Sequence, residues 1–177
     1  MSTTYTLDQL NTASAVDALH MLDGLYEHSP WIAQTALEQR PFSSVEDLKE
    51  KMKQALAAGG REKKIELICA HPELAGKAMQ TNTLTAESTS EQKRAGLTDC
   101  SPEELAHIQQ LNRAYREKNH FPFVLAVRAA HNGQGYNKKE IIQTLEKRLN
   151  NSTDAELDEC IRNIHLIVEI RLQDRIA

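Results

Sequence analysis

The sequence predicts an all-α domain. Helix-capping signatures recur along the chain, apolar residues return at helical spacing behind them, and strands do not alternate with helices. The 177 residues are 40% hydrophobic and 26% charged, enough to bury a core without disulfide or metal. Residues 1–177 are therefore expected to form a single domain of about seven or eight helices.

The elements follow in chain order. A helix is expected over Leu7–Leu22 behind a Thr6 cap. Ser29-Pro30 sets a cap before a proline and opens a short helix to about Glu38, which Pro41 stops. Ser43-Ser44-Val45-Glu46 reads as a capping box for a helix to Ala58, closed by Gly59-Gly60, and a further helix covers Arg61–Ala70. Met79–Thr89 reads as a loop, and Ser88 with Glu91 as a box for a turn ending at Gly96. Ser101-Pro102-Glu103-Glu104 opens a helix to about Lys118, with Leu105, Ile108, Leu111, Asn112 and Tyr115 at helical spacing. Phe121–Val127 is rich in aromatic and β-branched residues but has no partner strand, so it reads as extended backbone leading into a buried helix. Ala130–Tyr136 reads as a loop. Asn137 with Glu140 opens a helix to about Leu149, and Thr153 with Glu156 opens the last, to about Arg175.

Composition excludes several classes. Lys and Arg total 21 against 25 Asp and Glu, a net charge of −4, which argues against a nucleic-acid binder. The longest apolar run, Phe121–Ala130, is interrupted by Arg128 and is too short to span a bilayer. The start carries neither a basic region nor an apolar stretch, so no secretory signal is expected. Cys69, Cys100 and Cys160 form no CxxC pair and read as buried thiols of a reducing compartment. No two of the seven histidines make an HxH or HExxH pattern, so no metal site is expected. Gly133-Gln134-Gly135 lacks the third glycine of a dinucleotide loop, and no GxSxG elbow is present.

Three places stand out as candidates for chemistry. His71-Pro72 follows a helix; proline turns the residue before it out of the helix, leaving His71 either as a surface stop or as an imidazole at a cleft. Ser88-Thr89-Ser90-Glu91-Gln92 is either a plain cap or a helix N-terminus that receives an anionic ligand, with the carboxylate handling a proton. Arg171 falls on the apolar stripe of Leu157, Ile161, Ile164 and Val168, where a guanidinium snorkels, makes an ion pair or meets an anion.

Together these places resemble the 2-oxo-4-hydroxy-4-carboxy-5-ureidoimidazoline (OHCU) decarboxylase family. The matching text is His71-Pro72-Glu73-Leu74-Ala75-Gly76, Leu84 to Leu97, Leu111-Asn112-Arg113-Ala114-Tyr115, Phe121 to Arg128 and Ile170-Arg171-Leu172, in order over about Pro30 to Ile176. The resemblance implies an all-α fold, a homodimer, a small-molecule substrate (OHCU) and neither metal nor organic cofactor. It places the family's catalytic histidine on His71 and its SxxEQ segment on Ser88, Thr89, Ser90, Glu91 and Gln92. Its substrate-contacting arginine falls on Arg171, and substrate-lining backbone falls on Pro72 and on Phe123, Val124, Leu125, Ala126 and Val127. One departure is Lys118-Asn119-His120-Phe121, where the family more often shows a glycine before the aromatic-rich run. The ending Arg175-Ile176-Ala177 differs from the peroxisomal tail of some eukaryotic relatives, which favours the cytoplasm.

The residues suit the reaction that the resemblance implies. Loss of CO₂ from the ring carbon leaves an electron pair that the adjoining C=N/C=O system delocalises, followed by protonation on one face. The protein then supplies orientation, hydrogen bonds where charge develops and a placed proton. Arg171 offers a bidentate fork for the ureido or ring part. Gln92 both donates and accepts, which suits a ureide edge. His71 and Glu91 form the proton-handling pair, with the division of roles open. The competing readings are an inactive ureide-binding or regulatory helical module and a lyase acting on a related ureide. A DNA-binding regulator is disfavoured by the mixed charge of the last helix, in which Glu156, Asp158, Glu159, Glu169 and Asp174 face Arg162, Arg171 and Arg175 in number.

Overall fold

The computed structural model describes residues 3–129 and 135–177. The chain divides into two compact units, Met1–Ala70 with Ile167–Ala177, and His71–Leu166. Both are helical, and among the described residues the only β-pairing is an isolated parallel bridge between Tyr5 and Ile176.

The first unit holds α1 (Leu7–Thr12), α2 (Ala15–Met21), α3 (Trp31–Leu37), α4 (Val45–Ala58) and α5 (Gly60–Ala70). The single helix expected over Leu7–Leu22 is broken in two. Ser14 turns its backbone out of the helix and caps α2, its Oγ accepting from Asp17 N–H at 3.1 Å. Pro30 precedes α3 with no side-chain cap, so the expected Ser29 cap does not form. The Ser43/Glu46 box expected before α4 does not form, and Ser44 is the cap. Ser44 Oγ accepts from Asp47 N–H, and the Asp47 carboxylate accepts from Ser43 N–H. Leu10, Ile32, Ala36, Leu48, Met52 and Leu56 pack the interior of this unit.

The second unit holds α6 (Lys77–Gln80), α7 (Ala86–Arg94), a 3₁₀ turn (Leu97–Asp99), α8 (Pro102–Asn119), α9 (Lys138–Arg148) and most of α10 (Thr153–Gln173), whose last turns belong to the first unit. The stretch expected as a loop, Met79–Thr89, is thus partly helical at both ends. The boxes Ser101/Glu104 and Asn137/Glu140 form as the spacing predicts. At α10, Ser152 Oγ accepts from Ala155 N–H, whereas Glu156, expected to complete a box with Thr153, is fully buried and turned to other partners. Phe121–Val127 is buried and has no regular secondary structure, and among the described residues directly after it the chain turns rather than entering a helix, with Ala129 N–H on Ala126 C=O. Of the expected Ala130–Tyr136 loop, residues 130–134, including Gly133 and Gln134, lie outside the described residues.

Tyr115 of α8 is the centre of this unit's interior. Its ring meets Phe121 and Phe123 edge-on, with centroids at 6.2 and 5.4 Å. Its hydroxyl donates to Glu156 Oε1 at 2.6 Å. Arg148 of α9 donates to the same oxygen at 2.8 Å and to Val124 C=O at 2.7 Å, and its guanidinium lies 4.4 Å over the Phe123 ring. Burial, with Cys160 and Glu156 alongside, pushes the Tyr115 phenol far above its usual range, so it stays a donor. Burial likewise raises the Cys160 thiol, partly offset by Arg148. Of the three cysteines expected to be buried, only Cys160 is; Cys69 is exposed and Cys100 partly so.

α8 ends at His120, which takes the left-handed conformation (φ 63°). Glycine is the residue that adopts such a positive φ without strain. No helix among the described residues is long and apolar enough to cross a membrane.

Candidate active site

His71 leaves the end of α5 as the proline after it dictates, but it does not reach the surface: only 6% of it is exposed. The turn behind it is tight. Gly76 N–H donates to Glu73 C=O at 3.2 Å, and a Cβ on Gly76 would fall 2.9 Å from Glu73 Cβ, so only glycine fits without a shift. Ala75 is fully buried with φ 53°, a conformation that residues with a Cβ rarely adopt.

The Ser88–Gln92 segment sits differently from expectation. Thr85 is the cap of α7, its Oγ1 accepting from Ser88 N–H. Ser88 is therefore inside the first turn. Thr89 N–H bonds Thr85 C=O, and Ser90, Glu91 and Gln92 lie deeper in the helix. The expected anion-receiving N–H groups of Ser88–Gln92 are committed to the helix itself. Ser88 and Gln92 are buried on one face, while Thr89 and Ser90 are exposed on the other. Gln92 reaches the turn after His71: its Oε1 accepts from Ala75 N–H at 3.0 Å, and its Nε2 lies 3.5 Å from Glu73 C=O.

Glu91 faces a pocket of about 180 Å³ that also takes in Arg94, Val127, Arg128, Gly135 and Tyr136. Among its lining residues, Tyr136 N–H donates to Val127 C=O, and Gly135 (φ 86°) lies so close that a Cβ there would be 2.8 Å from the same oxygen. Two guanidinium-bearing residues against one carboxylate give the pocket a net positive lining, suited to an anion. Arg94 and Arg128 were not singled out by sequence; a helix-terminal arginine and one just after an apolar run are too common to stand out.

The Phe123–Val127 segment carries fewer open backbone groups than expected. Ala126 N–H donates to Asn163 Oδ1 at 3.0 Å, and Val124 C=O is held by Arg148. Of this segment, Val127 shares the pocket with Glu91; His71 and Arg171 are not among its lining residues.

Arg171 belongs to the first unit and is 5% exposed. Its Nη1 donates to Glu27 Oε2 and to Gly24 C=O, both at 2.8 Å. Of the three fates open to it from sequence, a buried ion pair is present. Among the described residues no group of three or more His, Cys, Asp or Glu is arranged to hold a metal.

An all-helical frame with a buried His-Pro turn and a carboxylate-bearing pocket fits a small-molecule acid–base enzyme. The sequence profile of the OHCU decarboxylase family matches residues 11–173, and the chain belongs to that family. A Haloferax volcanii protein described as 2-oxo-4-hydroxy-4-carboxy-5-ureidoimidazoline decarboxylase is 36% identical over 97% of this chain and 96% of its own. A Bacillus sp. (strain TB-90) uric acid degradation bifunctional protein is 37% identical over 95% of this chain, which spans 32% of that longer relative. A solved structure described as (S)-allantoin synthase superposes with a TM-score of 0.72 and 26% identity, covering 97% of this chain and 54% of that one.

Proposed function

We propose that this protein decarboxylates 2-oxo-4-hydroxy-4-carboxy-5-ureidoimidazoline to (S)-allantoin in urate degradation. What carries the reading is a family match over residues 11–173 that includes both His71 and Glu91. Relatives bearing the decarboxylase description align with nearly the whole chain, in Haloferax volcanii and in mouse.

The reaction needs no electron sink outside the substrate. As the C–CO₂⁻ bond breaks, its electron pair enters the neighbouring C=N system to give an enol; one proton is then delivered to the adjacent ureido-bearing carbon, and the 4-hydroxyl gives up its proton as the ring carbonyl forms. His71 engages the 4-hydroxyl or the departing carboxylate, and either His71 or Glu91 delivers the proton. Burial of His71 shields its imidazole from bulk water. Arg94 and Arg128 beside Glu91 offer positive charge for an anionic substrate. Arg171, its guanidinium fixed by Glu27 and the Gly24 carbonyl, is the residue that the family resemblance assigns to orienting the ureido or ring part. The homodimeric state and the cytoplasmic location rest on that resemblance, and sedimentation velocity tests the first.

OHCU decays unaided to racemic allantoin, so rate and handedness are the readout. OHCU generated in place from urate by urate oxidase and hydroxyisourate hydrolase, followed by circular dichroism, should show a fast (S)-allantoin signal. His71→Ala should lower kcat ~10²–10⁴-fold with the fold intact. A slow racemic course identical to the blank sinks the reading, and wild-type turnover in His71→Ala sinks the assignment of the histidine.

A further inference from the structure

We propose that Asn112 is a positioning residue for His71, acting through the peptide group between Leu74 and Ala75; the inference rests on the reading of His71 as the proton-handling residue. Asn112 lies in the Leu111–Tyr115 motif, to which neither the composition of the site nor the resemblance gives a role.

A trans peptide is a rigid plane whose C=O and N–H point in opposite directions. Here both ends of one plane are gripped by side-chain amides from different helices. Asn112 Nδ2, from α8, donates to Leu74 C=O at 2.9 Å. Gln92 Oε1, from α7, accepts from Ala75 N–H at 3.0 Å. Both amides are buried, 2% exposed each.

The grip matters because of what the plane sets. Rotation of a peptide plane changes the ψ of the residue before it and the φ of the residue after it. Ala75 sits at φ 53°, and a flip of the 74–75 plane would return it to the ordinary negative side. Such a conformation persists only where the surroundings over-determine it. The surroundings here are the two amides, the Gly76-to-Glu73 turn bond and the ion pair between Arg116 and Glu73. The clamped plane closes the tight turn that opens at His71-Pro72, where proline fixes its own φ, so a loosened clamp lets the turn carrying the histidine rearrange.

One further observation bears on Asn112, shared among the described residues with Asn119 Oδ1. Asn112 Oδ1 is buried and has no hydrogen-bond partner among the described residues. Half of the amide is thus left unsatisfied, a net cost to stability. A leucine would fill the site more cheaply; what the amide adds is a directed donor onto Leu74. Gln92, expected from sequence to meet the ureide edge, uses its acceptor on the same peptide and is the second half of this clamp.

The test uses the full chain and two readouts. Amide hydrogen exchange should rise in the peptide covering 71–76 of Asn112→Ala, with α9 unchanged. On OHCU, Asn112→Ala should lose ~10–100-fold in kcat with KM within about twofold, the mark of a misplaced catalytic group rather than a lost binding contact. Ala75→Gly, which removes the cost of the left-handed conformation, should recover at least ~threefold of that loss when added to Asn112→Ala. Asn112→Asp keeps the shape without the donor and carries the same expectations should Asn112→Ala not fold. Unchanged exchange over 71–76, a kcat within twofold of wild type, or no rescue by Ala75→Gly overturns the proposal. Should the wild-type chain fail to accelerate OHCU loss, the reading of the site falls, while the exchange experiment still decides whether Asn112 holds the turn.

Discussion

Arg148 and Glu156 form an ion pair at 2.8 Å with 6% and 0% of their side chains exposed, and the pair ties α9 and α10 to the buried Phe121–Val127 segment. Glu156 receives three donors from three places: Arg148 Nε, Tyr115 hydroxyl and Asn151 Nδ2. Removing the carboxylate strands a buried guanidinium. Glu156→Leu should cost ~3–5 kcal/mol, measured by urea unfolding, whereas Glu156→Leu combined with Arg148→Met should cost clearly less. Equal losses in the single and double variants would show that the charge is not what the single variant exposes.

The same cluster gives the protein an alkaline limit. The folded-state pKa of Tyr115 lies above the ordinary value of 10.0, so its contribution is complete below about pH 10 and is lost as pH rises. Tyr115→Phe should cost ~1–2 kcal/mol at neutral pH through its lost hydrogen bond. From roughly pH 10 upward it should lose stability less steeply than wild type. Parallel stability–pH curves would place the alkaline titration elsewhere, such as on Tyr26, which burial also raises.

His120 is exposed and left-handed at the C-terminus of α8. The steric cost of that conformation, ~1–2 kcal/mol, exceeds the ~0.5–1 kcal/mol of extra chain entropy that glycine loses on folding. His120→Gly should therefore raise the melting temperature by about 1–4 °C. A lower melting temperature would mean that the imidazole contributes more than its backbone costs.

Arg171 serves an acidic side chain and a backbone carbonyl through one nitrogen. Arg171→Lys keeps the charge on a shorter side chain that does not bring its nitrogen to where Nη1 meets both acceptors, and should cost ~1–3 kcal/mol of stability in thermal or urea unfolding. A larger fall in kcat/KM than the loss of folded protein explains would mark a contact with substrate as well. A fall that tracks the folded fraction would confine Arg171 to its pairing with Glu27.

Legibility in the sequence followed distance along the chain. Ser101 with Glu104 and Asn137 with Glu140 read correctly because both halves of each box lie within one helical turn. Thr85 escaped notice because its third residue onward is Ser88, not the Glu or Gln that completes a box. Ser14 was hidden by the apolar periodicity of Leu7–Leu22, which runs through the break. Glu156 has box spacing from Thr153 but bonds Tyr115, 41 residues away, which no local pattern encodes. At the site, the turn at His71-Pro72 was dictated by the proline, yet the burial of the histidine was not. Gln92 looked like a ureide partner because its amide is versatile; that its acceptor meets Ala75, 17 residues earlier, is a product of tertiary packing. The one signal available for Asn112 was an amide on the stripe of Ile108 and Tyr115, the two fully buried apolar positions around it.

The parallel bridge of Tyr5 with Ile176 sets two distant stretches of chain side by side, with Tyr5 N–H on Arg175 C=O and Ala177 N–H on Tyr5 C=O, both at 2.8 Å. Polypeptide thus enters and leaves this fold at one doorway. Such a module can be spliced into a host chain at a single point, or circularly permuted through a short linker, without dragging its helices apart.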